Sequence, residues 1–337
     1  MPALNTAVAL VREVNPGRLY REAETPCAVL VAGASGPREE LARLLSAGAP
    51  EGGEHPWLVR ASLEPSALPG GEERAVALLA VQGNVPDAAE RDAARRLRQA
   101  GLPALAVAFS AGPPPERHAP GTGRGTPPPA APLAVPLAVP LVVLPPDGGA
   151  QAFATRVAPA LVGRTGMDAA VALALARQFP VLRDAYARRL VEDTARANAL
   201  YALSTGVAQV AAVLNVPIAL ADMAVLSKNQ LIMAYKIALA AGRRDAPRVL
   251  MGEVVGVIGA GLLFRQIARG LVGLVPAFGM APKVAVAYAG TRVIGQVVMA
   301  WALEGRQVRA DELRALYGAA LAAGERAAAL LTRLPGR

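Results

Sequence analysis

The 337 residues predict an α/β domain with a parallel sheet, followed by an all-α domain of helical hairpins. Three observations carry that expectation. Between residues 26 and 165, short apolar runs alternate with helix-periodic stretches, the pattern of parallel strands joined by helical crossovers. From 168 to 332 the periodicity is helical throughout, punctuated by Pro217, Pro247, Pro276 and Pro282 with nearby glycines. Apolar residues make up 53% of the chain and charged residues 18%, a composition that fills sizeable cores and excludes a fully disordered chain.

Taken in order, residues 1–25 form an N-terminal arm with a short amphipathic helix expected over 5–14. The run Cys27-Ala-Val-Leu-Val-Ala32 predicts a buried strand, and Gly33-Ala-Ser-Gly36 a tight turn after it. Pro37 suits a first helical position, and 38–47 has helical spacing. Further strands are expected at 57–62, 75–81, 105–109 and 137–144. Helices are expected at 87–100, opened by Pro86-Asp87, and at 150–163. Residues 112–132 hold Gly-Pro-Pro-Pro and then Gly-Thr-Gly-Arg-Gly-Thr-Pro-Pro-Pro, a linker-like insert with polyproline character. The second domain predicts helices near 168–178, 181–214, 219–241, 249–273, 281–304 and 309–332. Two apolar units there, Val213–Leu220 around Pro217 and Leu271–Phe278 around Pro276, suggest hairpins related by a loose internal duplication.

Charge is unevenly placed. The net charge is +9, but residues 1–150 carry 13 Arg, no Lys and 15 acids, so the second half holds an excess of +11. A basic domain seeks nucleic acid, an anionic membrane surface or an acidic partner. Aromatics at 4% are too few for stacking platforms, so no specific nucleic acid is expected. One cysteine, Cys27, excludes a disulfide scaffold, and the two histidines, His55 and His118, are read as solvated loop residues. The N-terminus lacks the pattern of an export signal, so the chain is expected not to be secreted. Ala197–Ala221 runs 25 residues without a charge, but Asn198, Ser204, Thr205, Gln209 and Asn215 interrupt its apolarity. The other apolar stretches end at Arg265 and Lys283.

The motifs argue against chemistry. A phosphate loop needs Gly-x-x-x-x-Gly-Lys-Ser/Thr, whose backbone N–H groups and Lys meet phosphate while the hydroxyl holds magnesium. Counting from Gly33, those last three positions are Arg38, Glu39 and Glu40, which reverses the charge and loses the metal ligand. The residues after the third and fourth strands are Gln82-Gly83-Asn84 and Ser110-Ala111-Gly112, without the acids that hold magnesium or read guanine in a GTPase. What survives is a remnant phosphate turn, Gly33, Ser35, Gly36 and Arg38. No catalytic residue, metal or cofactor is expected. In the helical half, Asp222 stands out as a charge within an apolar run, with Lys228, Lys283 or Arg292 as candidate partners. Arg265, Arg269 and Lys283 are the candidate membrane or partner contacts.

Residues 196–304 resemble the helical domain found C-terminal to Era-like small GTPases in bacteria, domain-of-unknown-function family 697. The pieces that carry the resemblance are Val216-Pro-Ile-Ala-Leu-Ala-Asp222, Lys228-Asn-Gln-Leu-Ile-Met-Ala-Tyr235-Lys-Ile-Ala238, Leu262-Leu-Phe-Arg265-Gln-Ile-Ala-Arg269, Leu274-Val-Pro-Ala-Phe-Gly279 and Ala285-Val-Ala-Tyr288-Ala-Gly-Thr291-Arg-Val-Ile-Gly295. The resemblance implies no activity and no catalytic residues. It implies a bacterial protein of the cytoplasm or cytoplasmic membrane, and it makes 26–165 similar to a degenerate P-loop GTPase, a pseudo-GTPase. A GTPase or other protein partner, or a homo-oligomer, fits that reading. Two alternatives stand beside it: an NTP-binding protein with an unconventional phosphate site at Gly33–Arg38, and a soluble basic helical module binding a protein or nucleic acid.

Overall fold

The computed structural model describes residues 13–49, 55–64, 75–83, 85–110, 137–145, 149–164, 167–210, 216–259 and 280–332. Side chains are described within these except at 206–210, 216–224, 259, 280–282, 310 and 331–332. The chain forms two compact units. One comprises Thr25–Leu175 and Phe179–Ala185. The other comprises the chain up to Glu24, Ala176–Gln178 and everything from Tyr186.

The first unit is an α/β unit built on five parallel strands, β1 (Ala28–Ala32), β2 (Leu58–Ala61), β3 (Ala75–Gln82), β4 (Ala104–Phe109) and β5 (Leu141–Leu144). They lie in the order β2-β1-β3-β4-β5. The register pairs Val31 with Arg60 and Leu78, and Leu79 with Ala106. These strands are near-continuous apolar runs because helices cover both faces. Helix α1 (Pro16–Glu24) belongs to the other unit. Helix α2 (Ser35–Leu45) follows β1, and α3 (Ala88–Gln99) joins β3 to β4. Leu30, Ala32, Leu79, Val81, Ala106 and Ala108 pack with Ala93, Ala94 and Leu97 of α3. The alternate residues Val29, Val31, Leu78 and Val107 turn to the opposite face, by the period of two in a strand. Helix α4 follows β5 as Ala150–Ala152, a π turn over Phe153–Val157, and Ala158–Val162.

Helix α5 (Ala169–Gln178) was expected to open the helical domain, but residues through Leu175 cluster with the α/β unit. The cause is apolar burial: Leu173, Leu175, Phe179 and Leu182 are fully buried. His55, expected to be solvated, is half-buried and stacks on Phe179 with ring centroids 4.1 Å apart. His118 and the insert 112–132 lie outside the described residues.

The second unit is helical: α6 (Arg183–Val210), α7 (Val216–Ala240), α8 (Pro247–Gly259), α9 (Met280–Glu304) and α10 (Ala310–Thr332). Pro217 and Pro247 do not bend these helices. They occupy first-turn positions, where a missing N–H costs nothing. The tip around Pro276 lies outside the described residues. Glycines bring the helices close. A Cβ on Gly295 of α9 would lie 2.6 Å from Val191 Cγ1 of α6, and one on Gly324 of α10 would lie 3.1 Å from the Ala285 backbone of α9. The segment expected to be a separate arm joins this unit. Val14, Leu19 and Ala23 bury their side chains, and α1 packs against α7 and α8. Arg177 fixes the end of α1. Its guanidinium donates to the carbonyls of Leu239 and Arg243, 2.7 and 2.8 Å away, pairs with Glu24, and lies over the Tyr20 ring. It thereby satisfies the open carbonyls at the end of α7.

Two consequences are measurable. Gly33 has φ +153°, and a Cβ there would sit 2.8 Å from the Ala80 carbonyl oxygen of β3. Gly33→Ala combines backbone strain with overpacking and lowers stability by about 2–4 kcal/mol in urea denaturation. Burial pushes the Tyr235 hydroxyl up to about 12 and raises that of Tyr186, both from an ordinary value near 10. Because burial disfavours the phenolate, this contribution to stability is intact below pH 10 and is lost as the pH rises through 12. Absorbance titration at 295 nm shows these tyrosines ionising late and with unfolding, and Tyr235→Phe shrinks the alkaline loss.

Candidate functional site

In an open parallel sheet, ligands bind beyond the carboxyl ends of the strands where the strand order reverses. Here that point lies between β1 and β3, and the turn from Gly33 into α2 occupies it. The close approach of Gly33 to Ala80 explains the glycine. Ser35 and Gly36 are exposed in the first turn of α2, and Ala34 at the cap position offers no side-chain hydrogen bond. Arg38 does not point an unengaged charge at the crevice. Its Nε donates to Glu39 Oε1 at 3.1 Å, and Arg60 Nε, from β2, donates to Glu39 Oε2 at 2.8 Å. Glu40 pairs with Arg43 at 2.6 Å, a hydrogen bond that holds its carboxyl below the ordinary carboxylate value. The turn thus carries its own carboxylates where a phosphate loop carries Lys and a hydroxyl.

The end of β3 is similarly closed upon itself. Glu90 is buried, and its two oxygens accept from the backbone N–H groups of Gln82 and Asp87, each at 2.8 Å. Asp87 accepts in return from the Glu90 N–H at 2.7 Å, completing a capping box that opens α3. Both acids satisfy backbone donors. Among the described residues, no group of three or more His, Cys, Asp or Glu is placed to hold a metal ion.

A second constellation lies inside the helical unit, and its geometry was not foreseen. Asn198 on α6 and Thr291 on α9 are fully buried and joined by a hydrogen bond of 2.9 Å. Thr291 Oγ1 also accepts from Gln230 Nε2 on α7 at 3.1 Å and donates to the Ala287 carbonyl at 2.8 Å, so both lone pairs and the proton are used. Asn229 Nδ2 donates to Asn198 Oδ1 at 2.8 Å. Nearby, Glu192 of α6 accepts from Tyr288 and Arg292 of α9 at 2.9 and 3.1 Å. Lys283 Nζ donates to Thr205 Oγ1 at 3.0 Å. The signal available in the sequence was the set of polar residues, Asn198 and Thr205 among them, that break the apolar run 197–221.

These bonds orient the bundle. Thr205 with Lys283, and Asn198 with Thr291, make α6 and α9 antiparallel. Gln230 with Thr291, and Arg243 over the Trp301 ring at 4.9 Å, make α7 parallel to α9. Gly324 against Ala285 makes α10 antiparallel to α9. The end of α6, the start of α7, the start of α9 and the end of α10 therefore gather at one end. Lys228, of the three cations considered for Asp222, pairs with Glu13 at 2.9 Å, and Glu253 pairs with Arg243. Arg265, Arg269 and the side chain of Asp222 lie outside the described residues; Lys283 stands at the gathered end.

The chain matches no protein-family model, no curated protein and no solved structure.

Removing the hub measures its weight. Thr291→Val leaves the amides of Asn198 and Gln230 without their acceptor and costs about 1–3 kcal/mol in denaturation. Combined with Asn198→Leu, the loss falls below the sum of the single losses, because the two residues share one network.

Proposed function

We propose that this chain is a non-catalytic, membrane-associated protein of the bacterial cytoplasmic face, with a pseudo-GTPase α/β unit and a GTPase-associated helical unit of the kind that residues 196–304 resemble. The observation that carries the reading is the gathering of helix ends. The end of α6, the start of α7 and the start of α9, which adjoin the largely apolar sequence stretches 206–221 and 270–282 along the chain, lie at one end of a unit whose half of the chain holds the +11 excess. Among the described residues one helix, Lys283–Glu304, is long and apolar enough to cross a membrane, but 72% of its most apolar window is buried inside the protein. It serves as a core helix, so attachment rather than spanning suits the bundle.

The absence of catalysis is supported by the turn at Gly33. Glu39 and Glu40 stand where a phosphate loop carries Lys and a hydroxyl, and Arg38 and Arg60 are both engaged by the carboxylate of Glu39. The parallel order β2-β1-β3-β4-β5 is shared by several doubly wound folds and assigns no ligand by itself. In this reading the α/β unit offers a docking surface, with an active GTPase or a second copy of the chain as the partner.

A second reading rests on the same two guanidiniums. A nucleotide phosphate that displaced Glu39 would gain both Arg38 and Arg60. Titration of the full-length protein with a fluorescent GTP analogue separates the two. The pseudo-GTPase predicts no saturable binding below about 100 µM. Micromolar binding abolished by Arg38→Ala establishes the second reading instead. Flotation with phosphatidylglycerol vesicles tests attachment, and a protein left at the bottom of the gradient refutes it.

A further inference from the structure

We infer that the open edge of β5 is the docking surface of the α/β unit, and that its partner is a second copy of this chain, joined edge to edge across a two-fold axis at Val142. This rests on the docking role proposed above and names its surface and its partner.

The direction of the backbone groups follows from the ladder. β5 is an outermost strand, and the register pairs Ala106 with Leu141 and Ala108 with Val143. The Ala106 N–H donates to the Pro140 carbonyl at 2.8 Å, and the Ser110 N–H to the Leu144 carbonyl at 2.9 Å. Backbone groups alternate in direction along a strand. Pro140, Val142 and Leu144 therefore turn theirs to β4, and Leu141 and Val143 turn theirs away from it. The Val143 carbonyl accordingly accepts from Arg156 Nη1 of α4, at 3.3 Å. Among the described residues, no hydrogen bond takes the Leu141 N–H, the Leu141 carbonyl or the Val143 N–H.

These groups are self-complementary. In an antiparallel pair centred on Val142, Leu141 of one copy faces Val143 of the other. Each of the two facing pairs exchanges two N–H···O bonds. The Val143 carbonyl has two lone pairs, so it keeps Arg156 while accepting the new donor. Prolines fix this register. A pair centred on Val143 or Leu144 would call on Pro145, which has no N–H to give, and Pro140 bounds the strand on the other side. Only the register centred on Val142 pairs the outward residues of the two strands entirely with each other.

Side chains and charge point the same way. Pairing sets Leu141 against Val143 on one face of the sheet and Val142 against its own copy on the other. Val143 is 39% exposed, a large apolar side chain that this pairing covers. The strand bears no charge, and the half of the chain that supplies it carries 13 Arg against 15 acids, so two copies meet there with little like charge. The helical half, with its +11, repels its own copy. The β2 edge does not compete. Its outward residues are Leu58 and Arg60. The Leu58 N–H already donates to the His55 carbonyl at 2.9 Å, and Arg60 puts a charge on that edge.

The test uses the full chain. Sedimentation velocity from about 1 to 100 µM is expected to show a monomer–dimer equilibrium, unchanged between about 0.1 and 1 M salt because no ion pair crosses the edge. Val143→Pro removes an outward donor and Val143→Lys plants a charge on the edge. Each weakens the dimer roughly tenfold or more, while a circular dichroism melt reports the fold. In a Cys27→Ala background, Val142→Cys sets two thiols in a non-hydrogen-bonded pair, where Cα atoms lie about 4.5 Å apart, within disulfide range. Mild oxidation is expected to link that variant into a covalent dimer and to leave Val59→Cys, on the opposite edge, monomeric. A chain that stays monomeric throughout overturns the inference and leaves the pseudo-GTPase reading standing. A dimer that ignores both Val143 substitutions, dissociates in salt or cross-links through Val59→Cys overturns β5 as its surface. Saturable GTP binding overturns the pseudo-GTPase reading itself and is scored separately from the dimer.

Discussion

The helical unit depends on one buried hydroxyl. Thr291 ties α9 to α6 through Asn198 and to α7 through Gln230, between helices whose other buried residues are largely apolar. Apolar contacts between small side chains are weakly directional, so such helices can slide past one another at little cost. A buried hydroxyl with three partners cannot slide without leaving donors unpaired. That constraint sets the register, the register aligns Lys283 with Thr205, and this alignment decides which helix ends gather. The glycines at 295 and 324 act with it, because close approach is compatible with few axial offsets.

The α/β unit follows a different logic. Its central strands are covered on both faces, so they are near-continuous apolar runs. At the carboxyl ends of the strands, where such sheets usually keep open donors, the polar groups answer one another. Glu39 sits between Arg38 and Arg60, and Glu90 holds the backbone of Gln82 and Asp87. Side chains engaged in this way hold the shape of the surface, and a charged ligand would have to separate them before it could take their place.

Some of this was legible in the residues. The alternation of apolar runs with helical spacing located all five strands and the helices between them, because backbone hydrogen bonding and burial on two faces leave a local pattern. The turn at Gly33 was legible as well, although its cause was not, since the clash with Ala80 involves a strand some fifty residues away. Asn198 and Thr205 were visible as interruptions of an apolar stretch, but nothing local assigned Thr291 or Lys283 to them. His55 looked solvated for the same reason: Phe179, which covers it, lies more than a hundred residues downstream.

The sequence by itself determined the fold class, the segregation of basic charge into the second half, and the absence of phosphate-loop residues from the turn at Gly33, because each is a property of residue type and short-range spacing. Tertiary structure alone decided that residues before Glu24 fold with helices that begin some 160 residues later, and that most of α5 belongs to the α/β unit. It also decided that the end of α6, the start of α7, the start of α9 and the end of α10 gather at one end of the bundle. These outcomes depend on pairings between distant segments, Arg177 with Glu24 and Lys283 with Thr205 among them. The physical reason is that a side chain carries its hydrogen-bonding capacity in its chemistry, whereas its partner is set by which backbones the packing brings within reach.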